Sequence, residues 1–437
     1  MKDITKQFLK QIVVLVLTKL SIAVLKKYQP KIIAVTGSVG KTTTKDAIYT
    51  AIYKYKKTRK SEKSFNSEIG VPLTILGCKN AWSNPFLWIE NIFVGLKLVL
   101  FKNDYPEWLV LEVGADRPGD IENISKWLTP NIAVITRLPN IPVHIEYFSS
   151  VEEISKEKLF LARSLAKDGV VVVNSDDETL ERLVKELNVP TITYGADLNS
   201  DVTITDITTV YSKTDNLVFP SGINFNLNIK DQKILINIDN VIGNHVALNL
   251  GASLAIAKYL NLNIDDVAKG LSMFINPLGR MNLIKGIKQT LIIDDSYNSS
   301  PVAVEEGLTT MANLKISGRK IIVLGDMLEL GIFSTEEHKK IGEKVANVGD
   351  ILITVGVRAR GFAEGAMNAG MSEKNIFQYE NSQEAGKEVQ NMLSSGDLIF
   401  VKGSQGVRME KFVEEIMLEP DRKADLLVRQ SKEWMKK

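Results

Sequence analysis

Short apolar runs recur along this chain, each followed by a glycine-rich or polar turn and then by a segment with apolar residues at helical spacing. Ile32–Thr36, WLVLEV (Trp108–Val113), NIAVIT (Asn131–Thr136) and Gly169–Asn174 read as buried strands. Lys41–Lys57 sets Ala47, Ile48, Ala51, Ile52 and Tyr55 on one helical face, and Val151–Ala166 reads as another helix. Strands alternating with helices predict a parallel, doubly wound sheet. From Ala196 to Asp239 the pattern changes to strict alternation, VTITDITTV and INFNLNI between polar turns, which predicts an antiparallel β insertion. Helix returns at Gly243–Leu260. A second α/β set follows in Leu291–Asp295, Lys320–Asp326, Asp350–Gly356 and Asp397–Gly403. The expected fold class is α/β: a central doubly wound parallel sheet with an antiparallel insertion, then a Rossmann-like α/β domain. The expected division is 1–30, an apolar and basic helix; 31–274, a central nucleotide-binding domain; and 275–437, a C-terminal domain entered through the turn Ile275–Arg280.

Composition narrows the classes. The 437 residues are 44% hydrophobic and 24% charged, with no low-complexity tract, as in ordinary globular chains of two or three domains. A net charge of +2 gives no reason to expect a nucleic-acid partner. The single cysteine, Cys78, excludes a disulfide framework and fits a reducing, cytoplasmic compartment; beside Leu76 it reads as core filler. In Phe8–Tyr28 the apolar run Ile12–Leu17 is bracketed by Lys10, Lys19, Lys26 and Lys27. It is shorter than the ~20 residues a bilayer span needs. The segment therefore reads as a helix docked on the protein or a partner, with a helix lying at the membrane surface as the alternative.

The sharpest chemistry lies in KIIAVTGSVGKTTTK (Lys31–Lys45). A strand, a glycine turn and a helix N-terminus together cradle phosphate: glycine lets backbone N–H groups approach an anion, and the helix dipole adds positive charge. There Lys41 would reach terminal phosphates and the Thr42 hydroxyl would hold Mg2+. Val35 stands where the longer P-loop pattern has glycine, so this is the short GxxGKT form. Glu112, at the loop end of a strand, is placed to hold the same ion. His144 follows another strand end on the ligand side. Lys158, within the next helix, reads either as a solvated lysine or, if beside a metal, as one kept neutral or modified.

In order, TGSVGKTTTK, FNSEIGVPLTIL, LEVGA, HIEYFSSVEEI, GNHVALN, DDSYNSSP, VLGDMLELG and KGSQGVRME resemble the Mur ligases over roughly Lys31 to Glu415. The likeness is greatest to the branch that adds D-alanyl-D-alanine to UDP-N-acetylmuramoyl-tripeptide. The resemblance implies an ATP-dependent amide ligase of cell-wall precursor synthesis that works through an acyl phosphate. By motif position it implies that Gly37, Ser38, Val39, Gly40, Lys41, Thr42 and Thr43 hold the ATP phosphates. Thr42 and Glu112 would serve one Mg2+, and His144 with a carbamylated Lys158 a second. His245 and Asn249 would contact adenine, and Arg280 and Asp295 the phosphates and ribose, with Tyr297 beside them. Asn66, Ser67, Asn298, Lys402, Ser404 and Arg408 are implied on the substrate side. Lys41, Glu112, His144 and Lys158 are the catalytic set.

Three departures qualify the likeness. Family members begin with a domain that binds the UDP end, whereas Met1–Pro30 precede the first strand here; the expectation is a reduced UDP site or a partner. The loop before His144 reads RLPNIPVH in place of an asparagine–glycine form, and Phe160 stands where an acidic residue usually follows the modified lysine. Two alternatives stay open: a ligase of the same chemistry acting on a different or lipid-linked carboxylate, and a non-catalytic P-loop nucleotide-binding protein. A relative that amidates the lipid-linked precursor carries a four-cysteine zinc ribbon, which one cysteine cannot build.

Overall fold

The computed structural model describes residues 2–62, 64–82, 84–229 and 232–435, with side chains from Leu9 onward. Met1, Lys63, Ser83, Lys230, Asp231, Lys436 and Lys437 fall within segments read above and lie outside the described residues. Nine strands form one sheet in the order β2-β3-β1-β4-β5-β6-β7-β8-β9. They are β1 (Lys31–Thr36), β2 (Thr58–Lys60), β3 (Trp108–Glu112), β4 (Ile132–Ile135), β5 (Val170–Asn174), β6 (Thr191–Gly195), β7 (Val202–Thr214), β8 (Leu217–Ile229) and β9 (Gln232–Asp239). Pairing is parallel from β2 to β7 and antiparallel from β7 to β9. The alternating stretch is thus an extension of the central sheet, joined to it where Tyr194 and Gly195 pair with Val202 and Thr203. Central strands are buried, apart from Lys31 at the start of β1, because helices cover both faces.

Those helices are α1 (Lys2–Tyr28), α2 (Lys41–Ile52), α3 (Gly70–Leu76), α4 (Pro85–Leu100), α5 (Asp120–Ser125), α6 (Val151–Arg163), α7 (Glu178–Lys185), α8 (Asn244–Tyr259) and α9 (Ile264–Leu271). The second helix stops at Ile52, short of the expected Lys57, because the chain must turn there to enter β2; Tyr55 is left exposed. A second sheet runs β10-β11-β15-β12-β13-β14. Its strands are β10 (Asn282–Gly286), β11 (Thr290–Asp295), β12 (Lys320–Gly325), β13 (Ile351–Val355), β14 (Ile376–Tyr379) and β15 (Leu398–Lys402), parallel except for β10. The turn Ile275–Arg280 joins the two sheets.

The first helix is docked on the protein. Leu17, Ser21 and Val24 are buried against α3 and α4. A Cβ at Gly95 would lie 2.8 Å from Leu20 Cδ1, so α1 and α4 touch where only glycine fits. Lys27 donates to the carbonyls of Leu98, Val99 and Phe101 at 2.9, 2.9 and 2.6 Å, closing the C-terminal end of α4. Among the described residues no helix is long and apolar enough to cross a membrane. Leu17→Ala should remove about 2–5 kcal/mol of packing at this anchor. Limited proteolysis should then clip α1 earlier than in the wild type, at a lowered melting temperature.

Candidate active site

The sheet order reverses at β1, which has β3 on one side and β4 on the other, so a crevice opens beyond their C-terminal ends. A cavity of about 690 Å³ fills it, walled by the loop after β1, the strand ends of the first sheet and loops of the second. Gly37 has φ 139°, and a Cβ there would lie 2.0 Å from Thr136 Oγ1. Gly40 has φ 81°, and its Cβ would lie 2.4 Å from Asn249 Oδ1. Thr136 donates to Val39 O at 2.6 Å, and Ser38 N donates to Arg137 O at 2.9 Å, so the loop after β4 braces the glycine turn. The first turn of α2 has neither a side-chain cap nor an acidic residue, which leaves its N–H groups and dipole to an anion.

Lys41 folds back to donate to Gly37 O at 2.8 Å and Ser38 O at 3.3 Å. Burial pushes its pKa down, opposed by the charge of Glu112. Glu112 ends β3, buried; Oε1 accepts from Asn66 Nδ2 at 3.2 Å, while Oε2 has no hydrogen-bond partner among the described residues and lies 3.9 Å from Lys45 Nζ. Thr42 Oγ1 accepts from Arg280 Nη2 at 3.0 Å and touches Ser64 Oγ at 3.2 Å. Ser38 Oγ and Arg280 Nε are likewise buried without hydrogen-bond partners among the described residues. Orphaned polar atoms on one cavity wall are costly unless a ligand completes them. Among the described residues no three His, Cys, Asp or Glu side chains converge on a point. Glu112 and Thr42 offer instead the sparse oxygen set that suits Mg2+, an ion that keeps its waters and shares phosphate oxygens.

His144, at φ 70°, stands between two carboxylates, its Nδ1 2.6 Å from Glu329 and its Nε2 3.4 Å from Asp116. This contact holds the Glu329 carboxyl below its ordinary range. Lys158 lies behind the cavity wall, 4% exposed. Burial, and next the charge of Lys41, push its pKa down to about 7, against Glu157 and Asp116. Glu157 itself is occupied, accepting from the N–H groups of Gly119, Ile121 and Glu122 to cap α5.

From the second sheet, Arg280 stacks on Tyr297, 4.3 Å from the ring centre, as it reaches Thr42. Tyr297 donates to Ser64 at 2.7 Å, and Thr43 to Asn276 at 3.1 Å, so both sheets share this wall. His245 and Asn249 line the cavity from α8. Asp295 is there too, ion-paired with Lys402.

Sequence comparison meets the same architecture. The profile of the Mur ligase middle domain matches residues 89–257, and that of the Mur ligase, glutamate ligase domain, residues 279–405. The UDP-N-acetylmuramoyl-tripeptide–D-alanyl-D-alanine ligase of Bacillus subtilis is 30% identical over 405 residues, covering 92% of this chain and 79% of that protein. The chain belongs to the Mur ligases. Among solved Mur ligases, the MurF ligase of Thermotoga maritima in complex with ADP superposes with a TM-score of 0.75 at 26% identity, covering 94% of this chain and 84% of that one. MurF of Acinetobacter baumannii gives 0.74 at 25% identity, covering 91% and 79%. The fold is that of these ligases, and the activity class is ATP-dependent, ADP-forming amide ligation.

Within this Mur ligase several motif-based positions change meaning. Ser67 is exposed and away from the cavity; its Oγ accepts from Gly70 N at 3.3 Å at the start of α3. Lys402 is not on an open loop but at the end of β15, buried and committed to Asp295 and Asn298 O. Ser404 accepts from Leu328 N at 2.8 Å, and Arg408 is tied to Glu410 and to Trp434 O, so neither reaches out freely. Asp116, Arg137, Glu306 and Glu329, which line the cavity, and Arg429, which stands behind Tyr297, are features the sequence reading missed. Only Glu329 had a signal, its place in VLGDMLELG.

Lys402→Met would strand Asp295 as a buried unpaired charge, and should cost about 3–5 kcal/mol in chemical denaturation. Lys158 gives a pH signature. Between about 7 and 10.5 the unfolded chain keeps a proton that folded Lys158 has released. Wild type should therefore gain stability over Lys158→Met as pH rises through that window. Urea midpoints of the two proteins, taken at both ends of it, read the widening difference.

Proposed function

We propose that this enzyme joins D-alanyl-D-alanine to the peptide carboxylate of a UDP-N-acetylmuramoyl-tripeptide, in the cytoplasm. The observation that carries this reading is one wall shared by the glycine cradle, the half-satisfied Glu112 carboxylate and Arg280, with Asp295 opposite. We take residues 31–274 as the nucleotide-binding domain, 275–437 as the domain that closes on it, and 1–30 as an added helix.

Gly37 to Thr43 wrap the triphosphate, and Lys41 trades its loop carbonyls for the β and γ oxygens. His245 and Asn249 face the adenine, and Asp295, oriented by Lys402, faces the ribose. The acceptor carboxylate attacks Pγ; the bond to the ADP oxygen breaks and an acyl phosphate forms. The dipeptide amine, having shed a proton, adds to the acyl carbon, and the tetrahedral intermediate expels phosphate. Positioning and charge neutralisation supply the acceleration, with Lys41 and Arg280 as cations around the transferring group. Mg2+ held by Glu112 and Thr42, and a second ion served by His144 and a carbamylated Lys158, would neutralise phosphate charge. For Thr42 to accept that role, Arg280 must swing from its hydroxyl to the phosphates, a small closure of one sheet on the other. Carbamylation suits Lys158 because burial disfavours its cation, and a carbamate beside Lys41 replaces repulsion with attraction.

A coupled ADP-release assay tests this. ADP should appear only when the muramoyl tripeptide and D-alanyl-D-alanine are both present. Release that needs neither, or turnover only with a different acceptor, overturns the assignment. Lys158→Ala should bind ATP almost normally while turnover drops on the order of 100-fold. Unchanged turnover would remove the lysine from the mechanism.

A further inference from the structure

Helix α4 is built inside out for a water-soluble surface. Its two buried residues are Asn91 and Gly95, while Phe86 (77% exposed), Ile89, Phe93 (66%), Leu96 and Leu100 (70%) form an outward ridge at helical spacing. Leu87, Val94 and Phe101 widen it. Beside it α1 turns Leu9, Ile12, Leu15 and Ile22 outward. Both helices lie on α3, whose residues are all buried, so their free faces point away from the body of the protein. Scattered exposed apolar side chains are ordinary; a two-helix layer of them is not.

The charges around this layer say what covers it. Residues 9–27 and 85–102 hold six lysines against one acidic residue, Glu90. Lys10 pairs with Glu68, and Lys27 serves the end of α4. Lys19, Lys26, Lys97 and Lys102 are exposed and make no ion pair among the described residues. A second copy meeting this face about a two-fold axis would set lysines against their own counterparts. An apolar ridge flanked by unpaired lysines matches the headgroup region of an anionic bilayer, where stems and rings enter the acyl boundary and ammoniums meet phosphates.

We propose that α1 and α4 form a single face by which this ligase rests on an anionic lipid bilayer without crossing it. The inference stands on the helix surfaces alone and is independent of the substrates assigned above. Full-length protein should co-sediment with phosphatidylcholine vesicles that contain phosphatidylglycerol, weakly with phosphatidylcholine alone, and less as salt is raised. Phe93→Ser with Leu100→Ser, both exposed positions, should reduce partitioning at least about tenfold with an unchanged melting temperature. Lys97→Glu with Lys102→Glu should abolish the preference for anionic vesicles. The proposal fails if the wild type stays in the supernatant with both lipid mixtures. It also fails if the serine variant sediments like wild type, or if light scattering shows that the face closes a dimer which the serine variant dissolves.

Discussion

The turn between β1 and α2 is pressed so closely against its neighbours that side chains at two of its positions would overlap Thr136 and Asn249. That crowding makes the turn useful. Backbone amides can converge on an anion only if nothing stands between them and the ligand, and only if the loop is held from behind. Thr136 and Arg137, in the loop after the adjacent strand, supply the holding; Asn249, on α8, supplies the floor. The nucleotide site therefore depends on three segments widely separated in sequence meeting at one place where glycine is the sole tolerated residue.

Around that fixed point the remaining groups fall into a balance of charge. Lys41, Arg137, Arg280, Lys402 and Arg408 line the cavity against Glu112, Asp116, Asp295, Glu306 and Glu329. The glycine turn itself meets the cationic pair of Lys41 and Arg280. Two sheets deliver it jointly: Arg280 and Tyr297 from the second reach Thr42 and Ser64 of the first. Neither sheet alone would hold the guanidinium at that spot, since its ring platform and its hydroxyl acceptor come from different lobes.

Much of this was legible from the residues. Strands covered on both faces announce themselves as unbroken apolar runs, and the glycine cradle has a spacing that few other structures share. Glu112 was singled out because its strand end lies beside the glycine cradle, and it lines the cavity. The errors have a common cause. Motif position gives the address of a side chain but not its direction or its partners: Ser67 lies outside the cavity, whereas Lys402 and Arg408 line it but are already held by Asp295 and Glu410. The end of α2 was missed because apolar spacing continues past the point where the chain must turn into an edge strand. Asp116 and Arg137 sit in loops with no periodicity, and only the folded chain shows that they border the same space.

The last part of the chain has a role out of proportion to its sequence. Arg429 is wedged between Glu410 and the carbonyls of Ser296 and Tyr297, and Trp434 lines the nucleotide cavity while its own carbonyl steadies Arg408. The tail thus acts as a strut behind Tyr297, the ring on which Arg280 lies. Trimming the protein after Leu418, a cut that would spare every recognisable motif, would take away that support and leave the guanidinium platform to wander. Catalytic competence in this enzyme is in that sense anchored at the opposite extremity of the polypeptide from its phosphate loop.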